Sequence, residues 1–440
     1  MAVHKKTART IAVIGAGWAG CAAAVECASK GHQVTLIEAA RIAGGRARRI
    51  SHHGHSLDNG QHILLGAYSE TLRLMRAVGL QAADLMLRVP VQMRYPSFSN
   101  GIDFVASTLP APLHILSALL TSRGLSWHDK LALAQFSSAA RWMGWHLDHD
   151  CSVTQLLEQF NQTEKLIQCM WRPLCIAALN TPPERASANV FLSVLRDSLG
   201  ARRSASDMLL PKTDLTALFP ESAITYLQSK GGEINFGTRI KQIEPLTTGI
   251  RITSDDYASE FDALVIATPP WIAQDLMREH DASLATHAFE YEPITTCYLQ
   301  YAKTTRLDHA FYALLDEADK NVWGQFVFDR GYLNPDQSGL VAVVISAAEK
   351  ASSLDHDVLA QAVANQLATA FQQPAYAQPI WTSVITEKRA TFACTPNLHR
   401  PTNQTSIDNI ALAGDYTKSD YPATLESAVR SGVQAARLVM

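Results

Sequence analysis

The sequence predicts an α/β fold in which the strands of a nucleotide-binding type of sheet are scattered along the chain. Three observations predict it. A β-branched run, a glycine turn, an alanine-rich helix and a second strand open the chain within 30 residues of Thr10. Two more apolar strand segments, FDALVIA ending at Ala267 and NIALAG ending at Gly414, lie far downstream. Between them stand a long helical stretch and a run of further strands.

Thr10 to Ile14 reads as a strand and Cys21 to Lys30 as a helix closed by Gly31. Val34 to Ile37 reads as the next strand. Residues 70–80 carry an apolar stripe at helical spacing, and VQMRY and GIDFVA read as strands around a Ser-Asn-Gly turn. Leu113 to Leu199 is largely helical, with Trp127, Trp142, Trp145 and Trp171 interspersed, and Thr181-Pro182-Pro183 breaks it. A second α/β passage follows: a helix from Ala223 to Lys230, the turn and strand GGEINFG, a strand from Arg239 to Glu244, and FDALVIA. Residues 294–346 read as several strands, 357–371 as a helix, and the chain closes with NIALAG and a helix from Thr424.

The chain has 440 residues, too many for one ordinary core, and two or three domains are expected. A net charge of -3 gives no basic bias of the kind that nucleic acid selects. The seven cysteines are odd in number and form no CxxC pair, so a reducing cytoplasm is expected rather than a disulfide framework or a zinc site. The short basic start, MAVHKKTART, is not followed by a signal-peptide pattern. Phe104 to Ser122 holds two prolines and several hydroxyl residues. It suits a helix facing substrate or membrane surface, or packed in its own domain, better than one that spans.

Gly15-Ala16-Gly17-Trp18-Ala19-Gly20 opens a helix directly after a strand. The first glycine permits the turn, the second lets backbone approach a pyrophosphate, and the third lets helix and strand pack closely. Unpaired N–H groups at the helix start face the phosphate charge. Glu38 ends the next strand, where a carboxylate can accept from a ribose diol. His52-His53-Gly54-His55 lacks carboxylate or cysteine partners at useful spacing and reads as a hairpin turn, not a metal site.

The run Glu38-Ala39-Ala40-Arg41-Ile42-Ala43-Gly44-Gly45-Arg46 resembles the second motif of the amine oxidase and phytoene desaturase flavoproteins. Gly414-Asp415 followed by Pro422-Ala423-Thr424-Leu425-Glu426 resembles their closing motif. Ile240 and the pair Ala267-Thr268 match their adenine-side positions. The resemblance implies FAD, bound by residues 15–20, Glu38, Ala39, Gly45, Arg46, Asn59, Gly60, Gln61, Ile240, Ala267, Thr268, Gly414, Asp415, Pro422, Ala423 and Thr424. It thereby implies a Rossmann-type FAD-binding domain assembled from discontinuous segments (1–80, 211–275 and 405–440). A mixed β-sheet substrate domain (81–109 and 276–404) and a helical insert (110–210), facing substrate or membrane, complete the expected architecture.

Leu57-Asp58-Asn59-Gly60-Gln61-His62, Trp171 to Pro182 and Leu209 to Leu215 narrow the resemblance to the hydroxysqualene dehydroxylases, the squalene-associated branch. That branch implies reductive dehydroxylation of hydroxysqualene to squalene for hopanoid or triterpene synthesis, with hydride passing from reduced flavin N5 to an allylic cation. A desaturase or oxidase of a carotenoid-like polyene or an amine is the alternative, because the same motifs hold flavin in either direction. A flavin-binding lipid carrier without turnover is a further reading. A hydrophobic triterpene substrate suggests an apolar tunnel, with the 110–200 helices and their LHILSALL stretch as its wall. It also suggests peripheral contact with the inner face of the cytoplasmic membrane and association with upstream squalene-pathway enzymes. His62, Asp420 and Tyr421 are the candidate proton donors. Tyr416 stands where the family usually has Trp, Asp420-Tyr421 replaces a Gly-Leu-like pair, and Ser427 replaces a glycine.

Overall fold

A computed structural model describes residues 8–97, 99–200, 202–281, 284 and 289–440. Its centre is a parallel sheet of β1 (Thr10–Ile14), β2 (Gln33–Glu38), β3 (Glu233–Phe236), β4 (Ala263–Ile266) and β5 (Ile410–Leu412), in the order β3-β2-β1-β4-β5. Chain order runs outward from β1 on both sides. The carboxyl end of β1 is therefore a topological switch point, where such sheets open a crevice for a ligand.

Helix α1 (Trp18–Ser29) leaves that point. It is apolar nearly all round, and every residue but Ser29 is buried, as expected of a helix enclosed by neighbours. One neighbour is α2 (Leu425–Val439), whose Thr424 hydroxyl accepts from Ser427 N at 3.1 Å as N-cap. The two helices approach so closely that a Cβ on Gly432 would stand 2.1 Å from Ala19 O. Buried Glu426 ties α2 to the helix Ser69–Ala77. It accepts from the first-turn amides of Glu70 (3.0 Å) and Thr71 (2.9 Å) and pairs with Arg430 at 2.7 Å. A carboxylate there complements the positive end of the helix.

An antiparallel meander (Gln242–Pro245, Ile250–Thr253, Ala258–Phe261) connects β3 to β4. Its alternating burial at Ile250 and Ile252 is a strand signal that the reading above passes over. The second large sheet is wholly antiparallel, ordered Phe311–Ala313, Phe326–Asp329, Leu340–Ser346, Tyr291–Gln300, Trp381–Phe392. Cys297 and Leu299 face the covering helix His356–Phe371, whereas Tyr298 faces the apolar cluster shared with the helical insert. The short strands within 81–109, expected with this sheet, pair elsewhere. Met86–Val89 joins Met208–Pro211, and Gln92–Arg94 joins Asp103–Val105.

The stretch from 113 to 199 is helical as expected, and Asn180, in the left-handed region, ends the helix Arg172–Leu179 before Thr181-Pro182-Pro183. A π-helical turn, Ile167–Trp171, precedes that helix. The wall expectation needs correction for part of LHILSALL: His114, Ala118 and Leu119 are buried, but Leu113, Leu116 and Leu120 face outward. His52 to His55 forms the expected hairpin, with His53 and Gly54 at positive φ.

Gly432→Leu forces α1 and α2 apart. We expect a loss of about 1–3 kcal/mol, measured by urea unfolding, larger than for the same change at Gly54, where a Cβ meets nothing within 4 Å.

Candidate active site

The three glycines of the opening turn are not equivalent. Gly15 has φ +102°, and a Cβ there would lie 2.6 Å from Ala267 O. On Gly20 a Cβ would lie 1.8 Å from Gly15 O. These two are required by the protein's own packing. Gly17 is extended (φ -71°, ψ 178°), and its Cβ would meet only Gly45 Cα, at 3.8 Å. Nothing in the polypeptide requires a glycine there, so the space is available to a ligand. Gly17 is also the N-cap of α1 and supplies no side-chain cap, so the helix start keeps unpaired N–H groups beside that space. The Trp18 side chain is turned away, buried with its indole N–H donating to Ala47 O at 3.2 Å, and Ala19 packs under α2.

Glu38 ends β2 beside this turn. Its carboxylate accepts from Ala16 N at 2.7 Å and Ala40 N at 2.8 Å. Each oxygen keeps acceptor capacity for a diol. Ala39 between them is exposed. Thr238 N donates to Glu38 O at 3.0 Å, which brings buried Ile240 to the same end of the sheet. Ala267 N donates to Ile14 O at 2.8 Å, setting Ala267 and Thr268 across the crevice.

The two ends of the chain meet at Arg46. Its guanidinium donates to Asp415 Oδ1 at 2.6 Å and to Ala390 O, on strand Trp381–Phe392, at 2.6 Å. Asn59 donates to Arg46 O and to Glu387, both at 3.1 Å. Buried Arg400, which sequence reasoning missed, donates to Asp415 O (2.6 Å) and Tyr421 O (2.7 Å) and fixes the loop between them. No motif marks it, since its partners are all backbone carbonyls.

The chain matches the model of the flavin containing amine oxidoreductases over residues 18–440. It belongs to that family. It is 29% identical to a hydroxysqualene dehydroxylase of Zymomonas mobilis, over 97% of this chain and 98% of that one. It is 30% identical to another of Rhodopseudomonas palustris, over 98% of each. A solved oxidoreductase from Methanosarcina mazei shares the fold, with TM-score 0.74 at 16% identity, covering 97% of this chain and 99% of that one. The enzyme is thus a flavoprotein oxidoreductase with FAD as its cofactor, as the motifs implied.

The flavoprotein's own residues fit such a group. Among the described residues, seven buried side-chain polar atoms have no partner, and two of them belong to the cofactor motifs: Gln61 Nε2 and the Tyr416 hydroxyl. Buried donors are seldom left unpaired. Arg330, buried and also missed from sequence, donates to Gln61 Oε1 at 3.1 Å and to Gln337 at 2.8 Å. Because an arginine only donates, the Gln61 amide nitrogen is turned away from it. A Cβ on Gly414 would strike the Tyr416 ring at 2.4 Å, so the Tyr that replaces Trp presses on the Gly-Asp turn. Ser427 uses its hydroxyl to donate to Pro422 O at 2.7 Å, bracing the turn before α2 that carries Ala423 and Thr424.

The candidate proton donors are not gathered as a set. Half-buried His62 donates from Nδ1 to Gly60 O at 2.7 Å, and burial holds its pKa below the usual value. Asp420 is exposed. The Tyr421 hydroxyl donates to Asp197 on the helix Ala188–Ser198. Asp58 is a further titratable group in the same motif. It is buried, accepts from Leu215 N at 2.7 Å, and has its pKa pushed up to about 7 by burial, with Arg330 opposing.

Two outcomes follow from this geometry. Gly17→Val folds with near-native stability but is purified without flavin, read from visible absorbance; full yellow colour contradicts the cradle. For Asp58, the folded state binds the proton more tightly than the unfolded chain (3.8 rising to about 7). Its stabilising contribution is complete below about pH 4 and is lost as pH rises through about 7. Asp58→Asn lacks that loss, so its melting temperature gains on the wild type between about pH 5 and 8.

Proposed function

We propose that this flavoprotein is a hydroxysqualene dehydroxylase, replacing the allylic hydroxyl of hydroxysqualene by hydrogen and supplying squalene for triterpene synthesis. The observation that carries this reading is 30% identity over 98% of both chains with a protein of that name. The bond to oxygen breaks, the hydroxyl leaves as water with one added proton, and a hydride closes the allylic carbon. FAD, when bound and reduced, supplies that hydride from N5.

The chain's residues hold and orient. The N–H groups of residues 17–20 would receive the pyrophosphate of FAD, and Glu38 its adenosine ribose. Ile240 and residues 267–268 would hold the adenine side. Arg46 and Asp415 would serve the ribityl side, and Asn59, Gly60, Gln61, Pro422, Ala423 and Thr424 the flavin ring. Gly45, with Ala39 on the ribose side, would let backbone come close.

His62 is our choice for the proton. With Nδ1 committed to Gly60, Nε2 is the exchangeable position. Burial holds the His62 pKa below its usual value, so the ring is mostly neutral near neutral pH and Nε2 must first take up the proton it delivers to the departing hydroxyl. Tyr421 serves as a positioning residue, holding the loop that contains Asp420 against the helical insert. A C30 substrate enters from a bilayer, which places the enzyme at the inner face of the cytoplasmic membrane near the enzymes that make its substrate.

Anaerobic incubation of the reduced holoenzyme with hydroxysqualene is expected to give squalene, detected by gas chromatography. Polyene dehydrogenation without squalene formation contradicts the assignment. His62→Phe should lower kcat by about 100-fold or more with flavin content unchanged.

A further inference from the structure

The helix Leu113–Thr121 turns Leu113, Leu116 and Leu120 outward at i, i+3 and i+7, the last two 47% and 53% exposed. The next helix, Trp127–Trp142, exposes Trp127 (71%), Leu131 (59%) and Trp142 (93%) on one face over about 22 Å. The two stripes form one surface where they meet. Lys130 Nζ donates to Leu120 O at 2.8 Å and lies 5.3 Å over the Trp127 ring. Isolated exposed leucines are ordinary, but a continuous run of leucine and tryptophan on adjacent helices marks a contact surface.

The charges around it select the occupant. From 107 to 147 the sequence holds Arg123, Lys130 and Arg141 and a single acid, Asp129; Asp103, bridged to Arg123 from the neighbouring strand, is neutralised by Arg94 at 3.0 Å, and Asp148 lies just beyond the second helix. Asp129 is buried in the capping box of its own helix, accepting from Ser126 N at 2.8 Å and from the Thr163 hydroxyl at 2.5 Å. The surface is therefore apolar and cationic in a chain whose net charge is -3. Among the described residues no helix is long and apolar enough to cross a membrane. We propose that this two-helix face lies in the surface of an anionic phospholipid bilayer, with the leucines and tryptophans at the acyl boundary and the arginines among the headgroups. The bilayer as source of substrate rests on the function proposed above. The docking surface itself does not.

Flotation of the full FAD-loaded chain with phosphatidylcholine vesicles, with and without phosphatidylglycerol, tests it. We expect binding that strengthens with phosphatidylglycerol and weakens with salt. Leu116→Glu with Leu120→Glu should lower partitioning roughly tenfold or more while flavin content and melting temperature hold. Arg123→Gln with Arg141→Gln should lower it roughly tenfold on the anionic vesicles only. Failure of the wild type to float, or equal flotation of the leucine variant, overturns the proposal. So does a lipid-free dimer that the leucine substitutions dissociate, which would assign the face to a second copy. No substrate is present, so either result leaves the dehydroxylase reading to its own test.

Discussion

The bond between Arg46 and Asp415 joins residues 369 positions apart, and the enzyme's organisation depends on it. Arg46 ends the second cofactor motif, and Asp415 stands just beyond the last strand of the parallel sheet. A second donation from Arg46, to Ala390 O, fastens the antiparallel sheet to the same point. One guanidinium thus sets the relative position of nucleotide seat, closing motif and substrate sheet. Planar donation from two nitrogens to two separate acceptors suits an arginine to this task, and a lysine would not reproduce it. Arg400 repeats the device one layer out, with carbonyls in place of a carboxylate.

The glycines divide by purpose in a way the motif alone does not reveal. Gly15 and Gly20 are fixed by collisions within the polypeptide, whereas Gly17 faces only a distant Cα. The N-terminus of α1 is enclosed by other structure and left without a side-chain cap, an arrangement that makes sense when an anion completes it. Gln61 Nε2 and the Tyr416 hydroxyl make the same statement at the other end of the crevice.

Much of this was legible in the sequence because the cofactor motifs combine local rules. A glycine turn, a helix start and a strand-ending acid each leave a signature over a few residues. Trp381–Phe392 escaped because it is an edge strand of half-buried residues carrying Glu387, Lys388 and Arg389, the charges that edges use against aggregation and that mask an apolar alternation. Arg330 and Arg400 escaped because their roles exist only after distant segments converge. Asp58 lay inside a recognised motif, but its raised pKa comes from burial by distant segments, which outweighs the lowering by Arg330 and by the Leu215 N–H, and no local pattern announces that. The sequence left Leu116 and Leu120 open between a substrate-facing wall, a membrane-facing surface and ordinary packing, because a short apolar run does not say which face is buried; both turn outward.

The central claim is that the N-terminal motifs, through Arg46, and the closing motif, through Asp415, act as one FAD site. A double-mutant cycle on FAD affinity, with Arg46→Met, Asp415→Asn and the pair, measures this directly. The account predicts strong coupling, the double variant binding FAD about as weakly as the worse single, with an interaction energy of at least about 1 kcal/mol. Losses that simply add would contradict it, for they would mean that the two residues serve the cofactor independently.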